Sequence, residues 1–250
     1  MNEPDLFWGV RKMLELNKCY NMDCVEGMAQ FPDGYFDLAV VDPPYGRKEH
    51  GGKNRGKLVT QRDGSRIYVE DGGYSRKLWD MKPPPEIYFR ELCRVSKRQI
   101  IWGVNYFPYA FGPGRIVWDK CNGASDQSDC EIAYNSMTER VDLFRFMWAG
   151  MMQGKSVAEG HIMQGNKSKN EKRIHPTQKP VALYTWIFSK YAREGEKILD
   201  THLGSGSSRI AAYDAGLDFI GFELDHEYFS AEEQRFEAYI SQTNLFHLEQ

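Results

Sequence analysis

Apolar residues in this chain come in short runs that end on acids, prolines or glycines. Phe36-Asp37-Leu38-Ala39-Val40-Val41 reads as a strand, and it stops at Asp42-Pro43-Pro44-Tyr45. Further strands are predicted at Cys19–Asn21, Gln99–Gly103, Arg115–Asp119, Cys130–Tyr134, Val141–Trp148, Lys197–Asp200 and Asp218–Glu223. Helices fall between them. Asp23 caps one running through Gln30, and Pro83-Pro84-Pro85 opens another over Glu86–Val95. Pro180 starts a third through Tyr191, with Val181, Tyr184, Phe188 and Tyr191 on one face as core. A fourth spans Arg209–Ala215 and ends at Gly216; Asp225 caps a fifth to about Ile240. Strand, helix, strand implies a parallel sheet, and the consecutive short strands between residues 115 and 148 imply an antiparallel portion at one end.

Two prolines in succession fix the backbone after Val41, so a carboxylate and an aromatic ring are held together at a strand's carboxyl end. Such a pair suits a flat, amino-bearing ring: Asp42 accepts from the amino group while Tyr45 stacks. The same residues also suit an ordinary strand-to-turn junction, and the rest of the chain has to decide.

A second constellation is strand, Thr201-His202-Leu203-Gly204-Ser205-Gly206-Ser207-Ser208, helix, strand, then Glu223. This is the nucleoside-binding half of a doubly wound fold, in which glycines let the backbone approach the ligand. Glu223 follows Gly206 by 17 residues, near the spacing of about 20 at which an acid accepts from ribose hydroxyls. Arg209 stands at the last position of G-x-G-x-x-G, which argues against a dinucleotide and for a nucleoside ligand with no pyrophosphate. In an open α/β sheet, ligands bind beyond the carboxyl ends of the strands at the switch point. If the strands ending at Val41 and Asp200 are neighbours there, one cleft holds both constellations.

Composition narrows the class. The 250 residues suffice for one large α/β domain, with 41% hydrophobic and 27% charged residues. The net charge of −3 leaves nucleic-acid contact to a local patch. Residues 46–77 supply one: Arg47, Lys48, Lys53, Arg55, Lys57, Arg62, Arg66, Arg76 and Lys77 face only Glu49, Asp63, Glu70 and Asp71. This stretch has no sustained periodicity and is expected to be a long basic insertion, either placed on a phosphate backbone or solvated. A second polar segment, 149–174, carries Lys155, Lys167, Lys169, Lys172 and Arg173. Five cysteines without a C-x-x-C pair fit a reduced compartment, and no apolar stretch approaches the roughly 20 residues of a membrane helix. A cytoplasmic protein is expected. No cluster has metal-ligand spacing; His175 reads as a structural or loop residue, or as a base.

These residues together resemble the amino-group DNA methyltransferases that use S-adenosylmethionine, in their permuted, β-type order. Asp42-Pro43-Pro44-Tyr45 resembles the catalytic tetrapeptide, and His175-Pro176-Thr177-Gln178-Lys179-Pro180 the segment that opens the helix before the cofactor loop. Asp200 to Ser208 resembles the D-P-F-x-G-S-G-T-T loop, Gly221-Phe222-Glu223 the strand bearing the ribose-binding acid, and Asp23-Cys24 the contact to the cofactor's adenine. The matches cover roughly residues 18–45 and 175–240.

The resemblance implies a doubly wound, mostly parallel, seven-stranded sheet with an antiparallel end and inserted loops. It implies Asp42, Pro43, Pro44 and Tyr45 as catalytic residues, and Asp23, Cys24, His175, Thr177, Lys179, Asp200, His202, Gly204, Ser205, Gly206, Ser207, Ser208 and Glu223 as cofactor-binding residues. DNA would be met by Arg47, Lys48, Lys53, Arg55, Lys57, Arg62, Lys167 and Lys169. Adenine N6 in double-stranded DNA is the implied target, because cytosine-N4 enzymes more often begin the tetrapeptide with Ser. Cytosine N4, or an inactive DNA-binding partner subunit, are the alternatives. Thr201 and His202 depart from the family's Pro and Phe. The candidate target-recognition segment at 149–174 is short, which leaves sequence readout to the 46–77 stretch or to a second subunit in a homodimer.

Overall fold

The computed structural model describes residues 13–48, 56–69, 77, 80–123 and 127–248. Its main sheet is built from β1 (Lys18–Asn21), β2 (Leu38–Val41), β5 (Gln99–Trp102), β6 (Arg115–Asp119), β7 (Cys130–Asn135), β8 (Val141–Arg145), β11 (Lys197–Asp200) and β12 (Asp218–Glu223). A hairpin, β3 (Lys57–Thr60) and β4 (Arg66–Val69), and a second small ribbon, β9 (Trp148–Ala149) and β10 (Met152–Gln153), lie outside it. The helices are α1 (Cys24–Met28), α2 (Glu86–Val95), α3 (Val181–Tyr191), α4 (Ser207–Asp214) and α5 (His226–Leu248).

The order across the sheet is β1-β12-β11-β2-β5-β7-β6-β8. Only β7 runs against its neighbours; all other pairs are parallel. The α/β, mostly parallel class with an antiparallel end is thus as expected. The sheet holds eight strands, as the eight apolar runs predict, where the family resemblance implies seven; Val141–Arg145 pairs in full register with β6 as the edge strand.

Near-continuous apolar strands are what two covered faces demand. Along β2, Leu38 and Val40 join a core that includes α3 and α4, while Ala39 and Val41 join the opposite core with α1 and α2. On α3, Tyr184 and Phe188 are buried as predicted; Val181 and Tyr191 pack at the core's margin, and Leu183 and Ile187 are fully buried beside them.

Several boundaries move. Helix α1 stops at Met28, two residues short of Gln30, while α5 continues past Ile240 to Leu248. Helix α4 starts at Ser207 because Gly206, at φ 70°, turns the chain directly into it. The expected strand Val141–Trp148 breaks after Arg145, and Trp148 pairs with Gln153 in the small ribbon.

The 46–77 stretch corrects the sequence expectation most. Its described part contains the β3–β4 hairpin, registered Lys57↔Val69 through Thr60↔Arg66. The hairpin is pinned at its tip by Arg62, which donates to both Asp129 oxygens and to the Gly123 carbonyl at 2.9 Å. Lys53 and Arg55 lie outside the described residues. No helix among those described is long and apolar enough to cross a membrane.

Candidate active site

β11 and β2 are parallel neighbours, paired Ile198↔Leu38 and Leu199↔Ala39. The chain proceeds from β2 to β5 on one side and from β11 to β12 on the other, so this is the switch point. Asp42 and Asp200 therefore emerge at the same edge. A cavity of about 340 Å³ opens there, lined among others by Asp23, Cys24, Asp42, Pro44, His175, Thr177, Lys179, His202, Gly204, Ser205, Ser207 and Glu223. Small-molecule sites span roughly 300–1,000 Å³. The two constellations share one cleft.

On the cofactor-loop side, Glu223 accepts from the Gly204 amide at 2.9 Å and the Asp225 amide at 2.8 Å, so the end of β12 and the glycine loop are tied together. Burial raises the Glu223 carboxyl above its ordinary range, with those amides opposing. Asp23 caps α1 by accepting from Val25 and Glu26 and lines the wall. The Cys24 thiol is pushed up to about 12 by burial and stays protonated. His175 stands 4.2 Å from the Tyr228 ring, edge to face, and its Nδ1 meets Thr177 Oγ1 at 3.2 Å. Burial lowers His175 to about 3 and His202 to about 4, so both are neutral. His202 fills the expected Phe position as a ring, edge-on to Tyr88 at 5.4 Å, with Nδ1 2.9 Å from Thr201 Oγ1.

Three residues of the loop stand one layer behind the cavity. Asp200, 2% exposed, accepts from Ser208 Oγ at 2.5 Å and from the His202 amide at 3.1 Å; burial pushes it to about 7. Gly206 approaches α5 so closely that a Cβ would lie 2.7 Å from Glu232 Oε2. Asp200, Gly206 and Ser208 thus shape the loop rather than face its ligand.

On the other side, Tyr45 donates to Asp42 Oδ1 at 2.6 Å and stacks on Tyr106, with centroids 5.0 Å apart and planes 19° apart. Pro43 is buried and Pro44 reaches the cavity wall. Lys179, expected on the cofactor, points across the cleft instead: its Nζ contacts Asp42 Oδ2 and lies 3.0 Å from Glu131 Oε2 and 3.2 Å from the Tyr45 hydroxyl. Burial raises the Asp42 carboxyl, Lys179 opposes this and Glu131 adds to it.

Four carboxylates, Asp23, Asp42, Glu223 and Asp225, line the cavity; Lys179 pairs with Asp42 and Lys77, its Nζ 2.6 Å away, with Asp225, so Asp23 and Glu223 give the wall its negative balance. Such walls repel a pyrophosphate and favour a nucleoside carrying positive charge, with Glu223 available to ribose hydroxyls.

Sequence comparison agrees with the geometry. The DNA methylase family profile matches residues 117–234. Type II methyltransferase M2.DpnII of Streptococcus pneumoniae is 41% identical over 233 residues, covering 81% of this chain and 82% of that protein. The chain belongs to the N6/N4 amino-group DNA methylases. Type II methyltransferase M.HinfI of Haemophilus influenzae is 23% identical over 254 residues, covering 88% of this methylase and 68% of the relative. Two solved structures share the fold: the M1.HpyAVI–SAM complex (TM-score 0.51, 20% identity, 87% and 98% covered) and the cytosine-N4-specific PvuII DNA methyltransferase (TM-score 0.53, 13% identity, 90% and 87% covered). The methylase transfers a methyl group from S-adenosylmethionine to an exocyclic amino group in DNA.

The basic residues lie outside the cavity lining. Arg47 donates to the Tyr106 hydroxyl at 2.9 Å and covers that ring, beside the catalytic tetrapeptide. Lys48 and Lys57 are exposed, while Arg62 is spent on anchoring the hairpin. Lys167 and Lys169 sit on an exposed turn capped by Asn166. No sequence motif marks Tyr106, Lys120 or Glu131, which the structure brings beside Tyr45 and Lys179. An acid inside the β7 strand pattern was the one available signal for Glu131.

Proposed function

We propose that this methylase acts on N6 of adenine in double-stranded DNA, with the base turned out of the helix into the Asp42–Tyr45 side of the cleft. The observation that carries this reading is Asp42 itself, an aspartate fixed between Pro43 and the switch point and opening into the cavity that Glu223 also reaches. Extruding a base costs a few kcal/mol, and stacking on Tyr45 returns about 1–3 kcal/mol.

Asp23 and Glu223 would hold the nucleoside part of S-adenosylmethionine, Gly204, Ser205 and Ser207 its loop side, and the acidic wall its cationic groups; the cofactor supplies an electrophilic methyl. The chain's part is positioning of two reactants. Asp42 Oδ1 now accepts from Tyr45. A base amino group takes over that acceptor, which raises electron density on its nitrogen and aims it at the methyl.

Arg47, Lys48, Lys57, Lys167 and Lys169 would meet the phosphate backbone, with Arg66 of β4 added and Arg62 holding the hairpin in place. Residues 149–174 form a small recognition segment, and a homodimer would supply the remaining readout; sedimentation velocity reads that state directly.

The test is labelled S-adenosylmethionine with double-stranded DNA, followed by nucleoside analysis. N6-methyladenine is expected. N4-methylcytosine would replace the adenine reading, and no transfer to any DNA would mark a non-catalytic partner subunit. Asp42→Ala is expected to abolish transfer while cofactor binding persists; full activity in that variant would refute the mechanism.

A further inference from the structure

Four alternating charges run in a line into the active site. Lys120, next after β6, places Nζ 2.6 Å from Glu131 Oε1. Glu131 Oε2 lies 3.0 Å from Lys179 Nζ, and Lys179 in turn contacts Asp42 Oδ2. Lys179 is 5% exposed and sits between two rings, with Nζ 5.6 Å from the centroids of both Tyr45 and Trp102. Desolvating four charges is costly, and buried pairs of this kind are poor sources of stability. Lys120 and Glu131 are not part of the tetrapeptide or the cofactor loop, yet they end on its carboxylate.

We infer that Glu131 is a positioning residue for methyl transfer: clamped by Lys120, it shares Lys179 with Asp42 and so sets the orientation and basicity of the Asp42 carboxylate. The inference rests on the amino-methylation reading and not on which base is the target.

The chemistry shows why sharing matters. As the amino nitrogen bonds to the methyl carbon, the pair of the breaking carbon–sulfur bond stays on sulfur, and the nitrogen must release one proton. Asp42 is the acceptor within the site. Given Lys179 wholly to itself, Asp42 would be a weaker acceptor, both for the amino hydrogen bond and for that proton. Glu131 draws part of the Lys179 contact away and adds a like charge nearby; both keep Asp42 basic. Glu131 itself would be pushed up by burial, but Lys179 and Lys120 hold it down at about 2, so it remains charged across the working range. The other groups around Asp42 among the described residues are the Tyr45 hydroxyl, Tyr88 from α2, Tyr184 from α3, Asp200 from β11, and His175, which feels Lys179 and is neutral.

The sign of the effect makes the inference testable. Glu131→Gln removes the competing anion, so the Asp42 titration midpoint moves down; Lys120→Met frees Glu131 to compete harder, so it moves up. The midpoint is read in the cofactor-free protein by 13C-carboxyl NMR, with Asp42→Asn assigning the signal. In the presence of cofactor and DNA, Glu131→Gln is expected to lower kcat by on the order of 10- to 100-fold, with KM for both substrates unchanged and the acid limb of the kcat profile moved to lower pH. A merely structural role would change the amount of folded protein and leave the midpoint and the limb in place. An unmoved Asp42 midpoint in Glu131→Gln, or a wild-type kcat, overturns the inference. If Glu131→Gln does not fold, Lys120→Met decides by the direction of its shift. Methylation of cytosine by the wild type would overturn the adenine reading and leave this one standing; no methyl transfer at all would overturn both.

Discussion

Gly103 offers a test of Tyr45 that leaves Tyr45 itself in place. It follows β5 directly, at φ 73° and ψ 21°, and its amide donates to the Ile132 carbonyl at 2.9 Å. A Cβ there would lie 2.0 Å from Tyr45 Cε1 and 2.4 Å from Cδ1, far inside the separation of about 3.5–4.0 Å at which carbon atoms attract. In Gly103→Ala the ring must therefore move, and with it the hydroxyl that donates to Asp42. Two effects separate cleanly. The left-handed backbone costs alanine about 1–2 kcal/mol, which lowers Tm by roughly 2–8 °C for a chain of this size. Displacing the stacking face costs about 1–3 kcal/mol of base binding, or about 5- to 150-fold in kcat/KM for DNA at 25 °C, where the variant is still folded. Cofactor affinity is expected to stay at the wild-type value, because neither Gly103 nor Tyr45 lines the cofactor cavity. Single-turnover methylation with calorimetric cofactor titration measures both. Tyr45→Ala should lose about as much activity, and the double variant little more, since both changes remove one stacking face. A variant that melts lower but methylates at the wild-type rate would refute the stacking role.

Glu223→Gln keeps an acceptor for the Gly204 amide but loses charge-assisted bonds to ribose hydroxyls. Cofactor Kd is expected to rise about 10-fold or more with DNA affinity unchanged; a wild-type Kd by calorimetry would remove Glu223 from the cofactor site. Asp200 titrates near 7 in the folded chain against 3.8 in the unfolded one. Its contribution to stability is fully present below 3.8 and lost as pH rises towards 7, a change on the order of 4 kcal/mol. Asp200→Asn is uncharged throughout, so the stability of the wild type relative to this variant should fall between pH 4 and 7 in denaturant titrations, and a pH-independent difference would contradict that. Lys57→Ala with Arg66→Ala is expected to reduce the slope of log affinity against log salt by about 0.9 for each phosphate that is no longer neutralised. Anisotropy with duplex DNA reads the slope, and an unchanged value would take the hairpin off the DNA.

What the sequence disclosed and what it hid divide along the range of the interactions. Asp42 and Glu223 end apolar runs, and Asp23 caps a helix; a local pattern is enough to find each of them. The meeting of β2 and β11 is long-range, but the doubly wound rule supplies it. The hairpin was legible in principle, since Leu58-Val59-Thr60 and Ile67-Tyr68-Val69 flank Asp63-Gly64; its basic residues and solvent on both faces hid the alternation that a half-buried strand would show. Lys179 lies in a segment expected on the cofactor, yet a long side chain can leave its neighbours, and this one reaches Asp42 and Glu131 on the opposite wall. Glu131 could be placed only by strand register. Antiparallel pairing of Trp102 with Ala133 brings the Ile132 carbonyl onto the Gly103 amide and sets Glu131 beside Tyr45. That one register supplies both the glycine that makes room for the ring and the acid that reaches its catalytic partner through Lys179. The antiparallel end of the sheet is therefore part of the active site, although no motif of the chain lies in it.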